Sequence, residues 1–257
     1  VYSDPDAAAE CAVREVERGF TGVKFDPAGR YSVYDGRQPA LHAMDLSEKM
    51  VRAVREAIGD RADILFGTHG QFTASGAIRL AKKLEKYDPL WFEEPCPPDS
   101  PDEIAKVARA TSIPISAGER LTTKYEFHQL LKTGAASILQ PNLGRCGGLL
   151  EGKKIASMAE VYHAQIAPHL YCGPVVAAAN IQLATCTPNF LILETIQGWQ
   201  GFHSDLVKTS IKFEGGFIIP PTEPGLGIEL NEKVALANPY TGSELHLEMS
   251  SVPATLL

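Results

Sequence analysis

Short runs of β-branched, aromatic and aliphatic residues recur along the chain, and each is followed by a stretch of helix length whose apolar residues fall on one face. The runs are 22–26, 64–67, 90–94, 113–119, 137–142, 164–169 and 190–194, which predicts seven strands. From the third run onward their starts lie about 23 to 27 residues apart, enough for one strand, one helix and two short loops. Leu41, Met44, Met50, Val51, Val54 and Ile58 approximate an apolar helical stripe, and Ile78, Leu80, Ala81 and Leu84 do so less cleanly. A further helix is predicted over 6–18. Consecutive βα units dictate a parallel sheet coated by helices. Seven or eight of them favour a closed (β/α) barrel over an open doubly wound sheet, and no Gly-x-Gly-x-x-Gly turn follows any run. The first barrel strand is not evident, and residues 1–4 read as its trailing loop. Beyond Glu194 the pattern changes: 211–219 reads as a hairpin, so the expected division is a barrel domain over 1–207 and an extended segment over 208–257.

Composition narrows the function classes. The 257 residues carry a formal net charge of -7, with a pI near 5.5, which disfavours nucleic-acid and anionic-membrane partners because both need a basic face. Small molecules are the expected partners. The five cysteines Cys11, Cys96, Cys146, Cys172 and Cys186 form no Cys-x-x-Cys pair and suit reduced thiols in a cytoplasm. No apolar run reaches the roughly 18 residues of a membrane span, and residues 1–20 lack the basic start and apolar centre of a signal peptide. The chain opens on Val1 without an initiator Met, and the expectation is a fragment.

In a (β/α) barrel the chemistry collects at the C-terminal strand ends. Here those ends carry Asp26, His69, Glu93, Glu119, Asn142, His169 and Glu194. Glu93 and Glu119, on consecutive strands, offer hard oxygen ligands that suit Mg²⁺. His169 is placed to serve as a general acid or base.

The runs Trp91-Phe92-Glu93-Glu94-Pro95, Ala117-Gly118-Glu119, Gln140-Pro141-Asn142 with Gly147-Gly148, Ala167-Pro168-His169 and Leu193-Glu194 follow one another in the order and spacing of the mandelate racemase group. Pro224-Gly225-Leu226-Gly227-Ile228 resembles that family's closing segment. The chain thus resembles the barrel domain of the enolase superfamily, in its mandelate racemase/muconate lactonizing enzyme branch. The resemblance implies a TIM-like (β/α) barrel of the enolase C-terminal type. It also implies an N-terminal capping domain, expected to be missing here, against which the 208–257 segment would pack if not against the barrel. It implies Glu93 and Glu119 as metal ligands, His169 as the seventh-strand catalytic histidine and Glu194 as the group that hydrogen-bonds the substrate carboxylate. The chemistry implied is abstraction of the proton α to a carboxylate with Mg²⁺ stabilising the developing charge.

Three departures shape the expectation. Gly67 stands where a third-strand Asp ligand is usual, so His69, on the same strand face if the strand persists, or Asp26 is expected to fill the vacancy. Lys24-Phe25-Asp26 replaces the usual Lys-x-Lys, which disfavours a lysine base. Asn142 replaces the Asp that pairs with the histidine; an amide orients the imidazole without stabilising its cation, so a lower pKa than in an Asp-paired dyad is expected. The leading expectation is an acid-sugar dehydratase giving a 2-keto-3-deoxy acid, a carbon-oxygen lyase of carbohydrate acid metabolism, with His169 supplying the leaving-group proton. An epimerase or racemase using His169 and Asp26, and a catalytically weak sugar-acid-binding barrel, are the alternatives. A cytoplasmic homo-oligomer is expected. His42, His128, His163, His203 and His246 fall in predicted helices or the tail, with His203 a residue that could border the pocket.

Overall fold

The computed structural model describes residues 3–28, 36–196 and 201–239. Residues 1–2, Trp199, Gln200, His246 and the end of the 208–257 segment lie outside the described residues. In chain order the elements are α1 (Pro5–Glu17), β1 (Gly22–Phe25), α2 (Leu41–Ile58), β2 (Asp63–Gly67), α3 (Ala74–Leu84), β3 (Trp91–Glu93), α4 (Pro101–Ala108), β4 (Ile115–Ala117), α5 (Lys124–Thr133) and β5 (Ile138–Leu139). They continue with α6 (Gly148–Val161), β6 (Gln165–Ile166), α7 (Pro174–Thr185), α8 (Phe202–Asp205), β7 (Lys212–Glu214), β8 (Phe217–Ile219) and α9 (Glu232–Ala237). The described residues fall into two compact units, one of 3–28, 36–117 and 129–137, the other of 118–128, 138–196 and 201–239.

In the first unit α1 starts at Pro5 because the Asp4 carboxylate accepts the backbone N–H groups of Asp6 and Ala7 at 3.1 and 3.2 Å, and proline at the first helical position loses no hydrogen bond. The α2 stripe of Met44, Met50, Val51, Val54 and Ile58 is buried as predicted. Leu41, at the first helical position, is 65% exposed and leaves that stripe. Ser47 joins it at no polar cost, because its hydroxyl donates to the Ala43 carbonyl at 2.9 Å. Strands β1 to β4 are parallel neighbours in sequence order, with Val23 opposite Ile64, Gly67 opposite Glu93 and Phe92 opposite Ile115. The Phe66 and Phe92 rings meet at 4.4 Å between centroids.

In the second unit β5 and β6 are parallel, with Leu139 opposite Ile166. The run 190–194 differs from expectation. Phe190 makes an isolated parallel bridge to Ile166, with Leu191 N–H donating to the Ile166 carbonyl at 2.9 Å, and residues 191–194 are not a strand. The Asn189 amide just before it is spent on the Ala156 and Ala164 carbonyls, which anchors the segment without a ladder. The predicted hairpin is present: β7 and β8 pair antiparallel through a Gly215-Gly216 turn whose two positive φ angles, 57° and 83°, match the twist a two-residue hairpin loop needs.

The strand ends are shorter than the runs that predict them. β3 stops at Glu93 because Glu94 is left-handed (φ 45°), and β4 stops at Ala117 because Gly118 has φ 129°. A Cβ at Gly118 would stand 2.4 Å from Phe127 Cε1, so this position admits only glycine without rearrangement.

Candidate functional site

Lys24, Asp26, Gly67, His69 and Glu93 belong to the first unit. Glu93 is 1% exposed, and its charge is met by the Lys24 ammonium at 2.6 Å and by the Trp91 indole N–H at 3.1 Å. The Trp91 contact follows from the pleat: Trp91 and Glu93, two apart on β3, share a face. A Cβ at Gly67 would lie 3.6 Å from the Glu93 carboxylate, ordinary contact, so the glycine is not demanded by crowding there.

β2 ends at Gly67, and the chain turns at His69 (φ 49°) and Gly70 (φ 71°), with Gly70 N–H donating to the Glu94 carbonyl at 2.6 Å. The strand therefore does not persist to His69 as the face argument required. A non-glycine residue at positive φ is held by its surroundings, and the turn sets His69 Nδ1 3.3 Å from Asp26 Oδ2. Asp26 Oδ1 accepts the Ala28 N–H at 2.8 Å. Burial pushes the Asp26 carboxyl above its ordinary pKa; the His69 hydrogen bond and charge and the Ala28 N–H offset part of that, and the Glu93 charge adds to it.

Glu119, Asn142, His169 and Glu194 belong to the second unit. The Asn142 side chain is oriented by its own turn: the Gly144 N–H donates to Oδ1 at 2.9 Å. That contact fixes the oxygen end, so the Nδ2 end faces His169 Nδ1 at 2.9 Å. An amide N–H there requires Nδ1 to be the acceptor, and the proton of the neutral imidazole then sits on Nε2. Nε2 in turn lies 3.4 Å from Glu119 Oε2. The Asn180 amide on α7 donates to the His169 carbonyl at 3.2 Å, and Glu194 Oε2 accepts the Leu170 N–H at 2.6 Å, so the His169 main chain is held from α7 and the Glu194 carboxylate by the loop following β6.

Sequence reasoning thus named four groups that this unit brings together. It missed Gly144, Asn180 and Arg145, whose guanidinium donates to the Glu119 carbonyl at 3.3 Å. The Asn142-Leu143-Gly144 spacing, an Asn two residues before a Gly, was the readable signal for the turn. It also missed the Lys24–Glu93 pair, which has no local signal. His203 is exposed, on the four-residue α8, with its ring 5.5 Å from that of Phe202.

Carboxylate oxygens on buried side chains are the donor type Mg²⁺ prefers, and Glu93 and Glu119 fit that chemistry. Among the described residues no group of three or more His, Cys, Asp or Glu side chains is assembled that could hold a metal ion. No described helix is long and apolar enough to cross a membrane.

A family model described as enolase C-terminal domain-like matches residues 6–234. The D-xylonate dehydratase of Haloferax volcanii is 37% identical over 247 residues, covering 95% of this chain and 60% of that protein. The D-gluconate dehydratase of Thermoproteus tenax is 33% identical over 237 residues, covering 90% of this chain and 46% of that one. Among solved structures, a candidate mandelate racemase/muconate lactonizing enzyme from Labrenzia alexandrii is 65% identical with a TM-score of 0.93, over 97% of this chain and 64% of that one. The chain therefore spans less than two thirds of each of these relatives.

Proposed function

The chain belongs to the enolase C-terminal domain-like family, with the α/β, TIM-barrel-like fold class of that domain, and on that premise we propose that it carries the proton-transfer residues of a sugar-acid dehydratase. The product is a 2-keto-3-deoxy acid. What supports this reading above all is the fixed orientation of His169, with its imidazole proton on Nε2. The two relatives named as dehydratases agree with it.

In the proposed reaction the α C–H bond gives its proton to a base, and the β C–O bond breaks with its electron pair leaving on oxygen. That oxygen takes the proton offered by His169 Nε2 and departs as water, and the enol left behind becomes the ketone. Donation from Nε2 needs no rearrangement. Abstraction by Nε2 would need the proton moved to Nδ1 and the Asn142 amide turned over, which would set its N–H₂ against the Gly144 N–H. His169 is therefore assigned the leaving-group step; Nε2 is reprotonated from solvent and the base releases the α-proton to solvent, so both groups begin the next turnover in their original states. The Asp26–His69 pair is assigned the α-proton, and Glu194 orients the substrate carboxylate. Glu93 and Glu119 are the residues the resemblance implies as Mg²⁺ ligands, and a bound Mg²⁺ would supply Lewis-acid stabilisation of the charge that develops when the α-proton leaves.

The test uses the full-length protein and a sugar acid deuterated at the α-carbon. In His169→Asn, kcat for keto-acid formation should fall roughly 10² to 10⁴-fold, while the α-deuteron still washes out into solvent. Loss of exchange together with elimination would make His169 the base and overturn the assignment. Full turnover in the variant would sink the mechanism.

A further inference from the structure

The Asn142 amide offers two lone pairs on Oδ1 and two N–H groups on Nδ2. The Gly144 N–H takes one lone pair, and His169 Nδ1 takes one N–H. The remaining lone pair and N–H meet one atom, the thiol sulfur of Cys172: Nδ2 donates to Sγ at 3.4 Å, and Sγ donates to Oδ1 at 3.6 Å. A thiol is a weak donor and a weak acceptor at once, so it can serve both ends of an amide. Little room is left around the amide oxygen: a Cβ at Gly144 would stand 3.2 Å from Asn142 Oδ1 and 3.7 Å from Cys172 Sγ. Cys172 is half-buried, and its backbone lies between anchored points. Three residues before it the His169 carbonyl is held by Asn180, and two residues after it Pro174 opens α7. Leu170, whose N–H holds Glu194, belongs to the same short loop.

Gly144 decides which end of the amide faces the histidine, since only the oxygen can accept its N–H. One contact at one end leaves the amide plane to swing, because the terminal torsion of an asparagine is broad. A swing turns the N–H away from His169 Nδ1. Cys172 opposes it from the two remaining positions. Building on the dehydratase reading, we propose that Cys172 is a positioning residue for the elimination step: its thiol holds the Asn142 amide in the plane that keeps His169 Nδ1 an acceptor, and so keeps the proton on Nε2, aimed at the leaving oxygen. The α-proton step, assigned to Asp26 and His69, does not pass through Asn142. The role of Cys172 is therefore confined to one half of the reaction.

The experiment uses the full-length protein, the α-deuterated sugar acid of the His169→Asn test, and the variants Cys172→Ala, Cys172→Val and Cys172→Ser. In Cys172→Ala, kcat for keto-acid formation should fall roughly 3- to 10-fold, the worth of a lost hydrogen bond, with KM and the washout of the α-deuteron unchanged. Cys172→Val fills the volume without hydrogen bonding and should behave like Cys172→Ala, while Cys172→Ser should retain most of the wild-type rate. Recovery in Cys172→Val, or washout that falls in step with elimination while His169→Asn keeps it, would make the residue a packing element and overturn the proposal. Nitrogen NMR shifts of the His169 ring read the same arrangement without substrate, at a pH where the ring is neutral. Wild type and Cys172→Ser should show a pyridine-like Nδ1 and a pyrrole-like Nε2, with a larger share of the opposite tautomer in Cys172→Ala and Cys172→Val. A ring unchanged in those two variants overturns the proposal as well. If the wild type forms no keto acid, or His169→Asn loses washout too, the reading of the reaction fails instead, and the nitrogen shifts alone decide whether Cys172 positions His169.

Discussion

Asp26 is a buried carboxyl whose pKa stands above its ordinary value chiefly through burial, with the Glu93 charge adding to the rise. An acid shifted in that direction costs stability wherever it is ionised. Below the unfolded-state pKa near 3.8 both states are protonated and the cost is nil; it grows as pH rises through the folded-state pKa and is complete above it. Asp26→Asn removes the charge yet keeps an oxygen for the Ala28 N–H and an N–H for His69 Nδ1. The variant should therefore need more urea to unfold than the wild type at pH 7, with the difference vanishing as the pH is lowered toward 3.8. An equal difference at both pH values would mean that packing rather than charge sets it. His69 makes the same point about strain: a left-handed histidine at the end of a strand is retained where the geometry has a use for it. Neither the burial of Asp26 nor the turn at His69 is legible in Lys24-Phe25-Asp26 or Gly67-Thr68-His69, because both arise from segments more than 40 residues apart meeting.

Among the elements, the strands were readable where an apolar run is bounded by turn chemistry, and their ends were not. The runs at 90–94 and 113–119 predict strands that stop at Glu93 and Ala117, since the backbone leaves the β region at Glu94 and Gly118. Those breaks matter, because each releases a side chain from the alternation of the pleat next to a candidate ligand. The run at 190–194 looks as apolar as the others, yet becomes a bridge and a loop. Apolar content reports burial, and a strand needs a ladder as well. Gly118 is the position where element and site meet. Gly118→Ala would place a methyl 2.4 Å from Phe127 Cε1 at a φ of 129°, combining overpacking with backbone strain. A loss of about 2 to 4 kcal/mol in unfolding free energy is expected, read by urea titration. A loss under about 0.5 kcal/mol, the level of an ordinary surface change, would show that the α5 ring yields freely and that the glycine is not needed to end β4.

At the scale of the whole molecule the test is linkage to metal. The family resemblance rests on motifs at five strand ends and on the closing segment 224–228. Asn142 and His169 touch as expected, whereas the Glu93 carboxylate is neutralised by Lys24 and no third acid stands at Gly67. A ligand that binds only the folded state stabilises it by about 2.7 kcal/mol at a hundredfold excess over Kd. Mg²⁺ added to the full-length protein should therefore raise its melting temperature in a concentration-dependent way, whatever its substrate. Glu119→Gln and Glu93→Gln should each shrink that rise, because an amide offers a weaker, uncharged oxygen to a hard cation. The two variants differ in the metal-free state. Glu93→Gln also strips Lys24 of its partner at 2.6 Å and should melt lower even without Mg²⁺, while Glu119→Gln leaves that pair intact. Thermal melts of the three proteins across a Mg²⁺ series separate the two effects, since only the slope against metal reports ligation. A wild type whose melting temperature ignores Mg²⁺, or variants whose slopes match it, would remove both glutamates from the metal shell and leave Glu93 as the buried anion that holds Lys24.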